Sequence, residues 1–302
     1  MSALAQVDDR TFITDGGLET TLVFHQGFDL PHFASFVLLD DPAGRDALRA
    51  YYRSYLDIAE AHDVGIVLDT PTWRANRDWG EKLGYDADAL AEVNRRAVAL
   101  LEELHSPRVL LSGCIGPRGD GYKVDAEMSV KEAESYHAPQ VEAFAETTAD
   151  LVSALTLTYS DEATGIVRAA ATAGVPVVIS FTVETDGRLP SGQSLGEAIE
   201  QVDSETGGAA AYFMVNCAHP THFADALEPE PWLERLRGVR ANASKKSHAE
   251  LDGADELDEG DPDELADRYR ELRDRLPKLN VVGGCCGTDH RHVEAVCAAV
   301  MS

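Results

Sequence analysis

Asn280-Val281-Val282-Gly283-Gly284-Cys285-Cys286-Gly287-Thr288 is a short β-branched run that stops at two glycines and a cysteine pair, and a helical stretch, Asp289–Met301, follows at once. A strand handing over to a helix through a glycine-rich turn is one unit of an α/β protein. Working back along the chain, strand-like runs begin near Thr11 (TFIT), Val64 (VGIVLD), Val109 (VLLSG), Leu151 (LVSALTL), Val175 (VPVVISF), Tyr212 (YFMVN) and Val239 (VRANA). Helical spacing fills Arg45–His62, Asp86–Leu104, Ser129–Asp150, Ser160–Ala173 and Pro262–Leu276 between them. Ser129 with Glu132, and Ser194 with Glu197, stand at capping-box spacing. Eight strands alternating with helices imply parallel pairing through right-handed crossovers. No Gly-x-Gly-x-x-Gly follows the first strand, so the expectation is an α/β fold, a (β/α)8 TIM barrel rather than a doubly wound sheet.

A chain of 302 residues suits one such barrel, and no repeat or low-complexity linker divides it, so a single domain over 1–302 is expected. With 44% hydrophobic and 26% charged residues the composition is that of a globular protein, not a disordered or collagen-like one. No run reaches the roughly 18–20 apolar residues of a membrane span. Met1–Arg10 has neither a basic nor an apolar segment of secretory type, which points to the cytoplasm. Fifty-three acids against 26 bases leave a net charge of −27, a surface that repels nucleic acid and anionic membranes and excludes both as partners. That acidity suits a salt-adapted host as well as it suits plain solubility. The densest acidic stretch, Glu250–Glu264, holds nine acids and no base. It reads as a solvated loop before the last helix, with a mobile lid over the site as the alternative.

Five cysteines without an export pattern argue against a disulfide framework: Cys114, Cys217, Cys285, Cys286 and Cys297. In a parallel barrel the chemistry sits at the carboxyl ends of the strands. Asp15-Gly16-Gly17 ends the first strand, Asn216-Cys217 the sixth and Gly283–Thr288 the eighth, so Cys217, Cys285 and Cys286 converge on one mouth. A buried cysteine is ordinarily a small hydrophobe. A glycine-flanked pair meeting a third strand-end cysteine instead suits zinc, with three thiolates and one open position. Neighbouring side chains on an extended strand point to opposite faces, so the backbone must turn at Cys285-Cys286 for both to reach one ion. Gly283, Gly284 and Gly287 are expected to provide that freedom. Three thiolates on Zn²⁺ make an electron-rich centre, poor at polarising a carbonyl and suited to holding a substrate thiol as a nucleophilic fourth thiolate. Alkylation at sulfur is the reaction this implies.

Gly-Gly-Cys-Cys-Gly-Thr at 283–288, Asn216-Cys217 and Asp15-Gly16-Gly17 resemble the homocysteine S-methyltransferase family. So do Asp69-Thr70-Pro71-Thr72, Ser112-Gly113-Cys114-Ile115-Gly116-Pro117 and Ser180-Phe181-Thr182, in order along nearly the whole chain. The resemblance implies a (β/α)8 barrel with zinc on Cys217, Cys285 and Cys286. It also implies that Asp15, Gly16 and Gly17, with Asn216, bind the amino-acid end of a thiol. The implied reaction moves a methyl group from a small donor, an S-methylmethionine-like sulfonium or a betaine-like ammonium, to homocysteine or a related thiol, giving methionine or another thioether. A homo-oligomer is compatible with the sequence.

Two departures bear on which thiol is accepted. Family members carry Glu-Thr at the end of strand four, where Glu receives the substrate ammonium; here the stretch is Leu155-Thr156-Leu157-Thr158, with no acid before Asp161 and Glu162. Strand seven ends in Arg240-Ala241-Asn242-Ala243 instead of a Pro-Asn turn. The lost Glu favours a rival reading, a non-catalytic zinc- or thiol-binding subunit working with a separate methyl-carrier protein. A redox role for Cys285-Cys286 leaves Cys217 unexplained. His219 stands as a metal or carboxylate ligand or a polar loop residue. Arg74, Asn76 and Arg77 follow strand two, where one could meet a carboxylate or the donor. Cys114 reads as mouth or packing, and Cys297 as core.

Overall fold

The computed structural model describes residues 10–124, 127–254 and 256–302; residues 1–9, where no export pattern was read, lie outside the described residues. Eight parallel strands close into a barrel in sequence order: β1 Phe12–Ile13, β2 Gly65–Asp69, β3 Val109–Ile115, β4 Leu151–Leu157, β5 Val177–Phe181, β6 Phe213–Asn216, β7 Leu236–Ala241 and β8 Val281–Gly284. The seam is the pairing of Phe12 and Ile13 with Val281 and Val282. The expected single (β/α)8 barrel is the observed fold.

The strands alternate as a barrel requires. Phe12, Val67, Leu110, Leu151, Val178, Met214 and Val281 pack together in the barrel's interior as an apolar layer, each from a different strand and at staggered heights. Their neighbours Ile13, Ile66, Leu68, Val152 and Ile179 pack outward against the helices. Burying each such side chain contributes roughly 1.5–3 kcal/mol. Above that apolar layer the interior positions turn polar, beginning with Asp69 and Arg240, and the floor of the site begins there.

Helices Pro42–Ala61, Ala87–Glu102, Val130–Ala145, Ser160–Ala173, Leu195–Thr206, Pro262–Arg275 and His290–Met301 form the outer ring. Both expected capping boxes are present, Ser129 with Glu132 and Ser194 with Glu197; the second starts a helix that periodicity had not shown. Strand seven begins at Leu236, three residues before the expected start, since Arg237 and Gly238 mask its pattern. Among the described residues, no helix is long and apolar enough to cross a membrane.

Much of the acidic stretch is exposed, Glu250, Glu256, Asp261 and Asp263 included, but part of it is tied down. Asp258 accepts from Ser244 Oγ (2.8 Å) and pairs with Lys246, while Glu259 pairs with His25 (3.0 Å) and Arg291. These ties bring the half-buried Leu257 and Asp258 to the cavity lining, while most of the stretch stays solvated as the loop expectation has it.

Candidate metal centre

The strand ends open into a cavity of about 490 Å³ lined by Asp15, Gly16, Gly17, Asn216, Cys217, Cys285 and Cys286 among others, so the residues expected to hold zinc and the thiol meet there. The sulfurs of Cys217, Cys285 and Cys286 lie within 4.8 Å of one another. Cys217 and Cys285 are joined as a disulfide with Cα atoms 5.3 Å apart, which corrects the expectation of no disulfide. The convergence that a metal needs also brings two sulfurs within bonding reach, and an odd count cannot exclude that. Cys286 remains free. Three sulfurs on a tetrahedral zinc stand about 3.8 Å apart, given Zn–S near 2.3 Å. The cluster therefore fits the ion once the pair is reduced.

Local backbone sets the cluster. Cys217, just past β6, has φ +55, a left-handed turn unusual for a non-glycine residue. It is held by Cys217 N donating to Arg240 O (3.1 Å) and by Asn242 Nδ2 (3.0 Å) and His248 Nε2 (2.7 Å) on its carbonyl. On β8 the glycines act differently from the expectation. Gly283 and Gly284 have no positive φ; a Cβ on them would meet Thr14 Oγ1 at 1.9 Å and Thr288 Oγ1 at 2.0 Å, so they permit close approach. Only Gly287, at φ +79, supplies a left-handed turn, and its missing Cβ lets Asp258 O approach.

Each sulfur meets one polar group. Thr156 Oγ1 donates toward Cys217 Sγ at 3.9 Å, Asn216 Nδ2 toward Cys285 Sγ at 3.8 Å, and the Tyr122 hydroxyl lies 3.4 Å from Cys286 Sγ. Asn216 is fully committed: Oδ1 accepts from Thr156 N (2.8 Å) and Ser180 Oγ (2.7 Å), and Nδ2 also donates to Thr156 Oγ1 (2.7 Å). Burial pushes the Cys286 thiol up, and Tyr122 opposes it. Thr156, at φ +64 at the irregularity near the end of β4, stood in the sequence only as the counterpart of the Thr in Glu-Thr, and Tyr122 carried no signal.

Beneath the sulfurs lies a buried ionic triad. Arg240 Nη1 donates to Asp69 Oδ2 (2.5 Å), Nη2 donates to Asp15 Oδ1, and Nε donates to Gly284 O (3.2 Å). Burial raises the Asp15 carboxyl while Arg240 pulls it down; Tyr51 donates to its other oxygen at 3.1 Å. Both oxygens of Asp15 thus have protein partners. Gly17 N donates to Thr288 O (3.0 Å), tying the Asp-Gly-Gly turn to the cysteine turn.

The remaining candidates divide. His219 is buried outside the cavity lining and caps the helix Pro220–Phe223, Nδ1 accepting from Thr221 N. Cys114 lines the cavity and Cys297 sits in the core. Asn76 caps the helix Arg77–Lys82, Arg77 is exposed, and Arg74 reaches the cavity. Leu155 lines the cavity, while Asp161 bonds Gln201, and Glu162 bonds His137 (2.9 Å) and Arg118 N (2.8 Å). Sequence reading missed two acids in the mouth, Asp120 and Glu19; Glu19 is held by Ser35 Oγ at 2.7 Å, its carboxyl raised by burial.

The family model for homocysteine S-methyltransferase matches residues 12–300. The chain belongs to the homocysteine S-methyltransferase family. Solved structures similar to this family member include the homocysteine methyltransferase MmuM of Escherichia coli. Its metallated form shares 20% identity, covering 97% of this chain and 98% of that one with a TM-score of 0.74. Its oxidised form gives 20%, 98% of each chain and 0.75. At that identity the likeness carries the fold.

Proposed function

We propose that this homocysteine S-methyltransferase family member is an enzyme that methylates a small thiol at a zinc site formed by Cys217, Cys285 and Cys286. The observation that carries the reading is that three convergent sulfurs each meet one polar group, from Thr156, Asn216 and Tyr122. Outer hydrogen bonds of this kind orient metal ligands. Zn²⁺, when bound, supplies an open position at which a substrate thiol ionises near neutral pH.

The chain's own residues supply the rest. Thr156 and Asn216 fix the directions of Cys217 and Cys285, and the Arg240 triad fixes the ends of β1, β2 and β7 below them. Leu257 and Asp258 line the mouth on the side of the acidic stretch. The thiol proton passes to solvent buffer before transfer. The substrate sulfur then forms an S–C bond to the methyl carbon as the donor's C–S or C–N bond breaks, and the donor departs neutral with the electron pair. Holding the reacting atoms about 3–3.5 Å apart is worth roughly 7–11 kcal/mol of barrier. Asp15, Glu19, Asp69, Asp120, Glu256 and Asp258 outnumber Arg74 and Arg240 in the lining, which favours a cationic donor, a sulfonium of S-methylmethionine type first and a betaine-like ammonium second.

Leu155 in the lining, where an acid is expected, favours the second reading, a thiol-binding subunit that serves a separate methyl carrier. A grid of thiols against donors, read by mass spectrometry with zinc-loaded, reduced protein, tests both. Methyl-labelled thioether from protein, thiol and free donor alone is expected; its absence across the grid, with zinc bound, contradicts the enzyme reading.

A further inference from the structure

Arg74 is held unlike any other charged group in the mouth. Its guanidinium carbon sits 4.0 Å from the ring centre of Trp73 and 4.0 Å from that of Trp79, so the plane is clamped between two indoles. The residue is 8% exposed and lines the cavity. One N–H donates to Gly119 O at 2.9 Å, Nε is buried without a partner, and the side chain forms no ion pair among the described residues. Arg240, in the same cavity, spends itself on two carboxylates and two carbonyls. A buried guanidinium with a free donor edge is costly unless something completes it.

Burial brings Arg74 down to about 10, which still leaves it charged at neutral pH. Stacking on both faces leaves only the edge for a ligand, and a guanidinium edge matches a carboxylate with two parallel N–H···O bonds. Glu19 and Asp120 both act on this charge, so a monoanion suits the position better than a phosphate dianion. The receptor and the sulfurs flank one cavity: Trp73 Nε1 donates to Leu155 O (3.2 Å), and the next residue, Thr156, reaches Cys217 Sγ.

We infer that Arg74, clamped by Trp73 and Trp79, is the receptor for a carboxylate carried by one of the two reactants, and that it selects acidic substrates at this site. The inference rests on the methyl-transfer reading for what the carboxylate belongs to, but its test does not need turnover.

Calorimetry with zinc-loaded, reduced protein compares each carboxylate with a neutral analogue. The acceptor arm uses 4-(methylthio)butanoate and 4-(methylthio)butan-1-ol, and the donor arm S-methylmethionine and its carboxamide. A charge-assisted bond of this kind gives the carboxylate about a 10- to 100-fold advantage in one arm, and that arm names its owner. Arg74→Gln should reduce the ratio below about 3-fold with zinc content and neutral-analogue affinity unchanged, and Arg74→Lys should restore part of it, a point charge lacking the fork. No carboxylate preference in either arm, no binding of either carboxylate, or a preference that survives in Arg74→Gln overturns the inference. An Arg74-dependent preference without methyl transfer would leave it standing while the enzyme reading falls; transfer with a preference indifferent to Arg74 does the reverse.

Discussion

Arg240 Nη1 donates to Asp69 Oδ2 at 2.5 Å, fastening the end of β7 to the end of β2 across the barrel, and the same guanidinium reaches Asp15 just past β1. All three side chains are at most 7% exposed. Removing one partner of such a buried set leaves uncompensated charge and costs about 3–5 kcal/mol. Arg240→Met should therefore lose about that much stability in urea unfolding. Arg240→Lys should recover little, because one ammonium cannot serve Asp15, Asp69 and Gly284 O together. A loss below about 1 kcal/mol in Arg240→Met would show that the triad is not a fastening.

Asp289 starts the last helix, its carboxylate accepting from Arg291 N at 2.9 Å and contacting His292 Nδ1 at 3.1 Å. Although burial acts to raise it, bonds from His292 and Arg291 hold its carboxyl well below the usual range. A depressed carboxyl stabilises the fold above its unfolded pKa, and that stabilisation fades as pH falls through the folded value. Asp289→Ala should cost about 1 kcal/mol at pH 7. The gap from the parent protein should narrow below about pH 4, as paired unfolding curves at pH 7 and pH 3 would register; an equal gap at both removes the charge from the explanation.

The barrel was legible because strand ends and helix starts carry local signals: β-branched runs, Ser-x-x-Glu boxes and Gly turns. The cysteine cluster was legible for a related reason, since strand ends of a parallel barrel share one rim. Arg240 was visible only as a departure, because a charge inside a strand gains its meaning from Asp15 and Asp69, 225 and 171 positions away. Cys217 and Thr156 adopt left-handed backbone without being glycine, and nothing local announces that. Gly283 and Gly284 were the right residues for a different reason, crowding by Thr14 and Thr288 instead of backbone freedom. Tyr122 comes from a loop and Glu19 from the short helix Leu18–Thr20, and their paths into the mouth depend on tertiary packing.

A substrate thiol that binds as a thiolate must give up its proton, so affinity should weaken as pH falls. Titrating a thiol into zinc-loaded protein in buffers of different ionisation enthalpy reports that proton directly. About one proton released per thiol is expected near neutral pH; a count near zero rejects thiolate binding.

Leu155 occupies the cavity wall and the nearest following acids are bonded elsewhere, Asp161 to Gln201 and Glu162 to His137. Glu19, raised by burial and held by Ser35, is a weak ammonium receptor. Homocysteine should therefore gain less than about 10-fold in kcat/KM over 4-mercaptobutanoate with one donor, since a charge-assisted bond to the ammonium would be worth 10- to 100-fold. A larger preference, removed by Glu19→Gln, would assign the ammonium to Glu19.

The most direct measurement is zinc per chain in reduced protein purified without chelator. The parent and Cys297→Ala should each hold about one zinc, while Cys217→Ala, Cys285→Ala and Cys286→Ala should each lose it while keeping the barrel's circular dichroism. Full zinc retention in a folded Cys217→Ala variant would contradict a centre built on three thiolates.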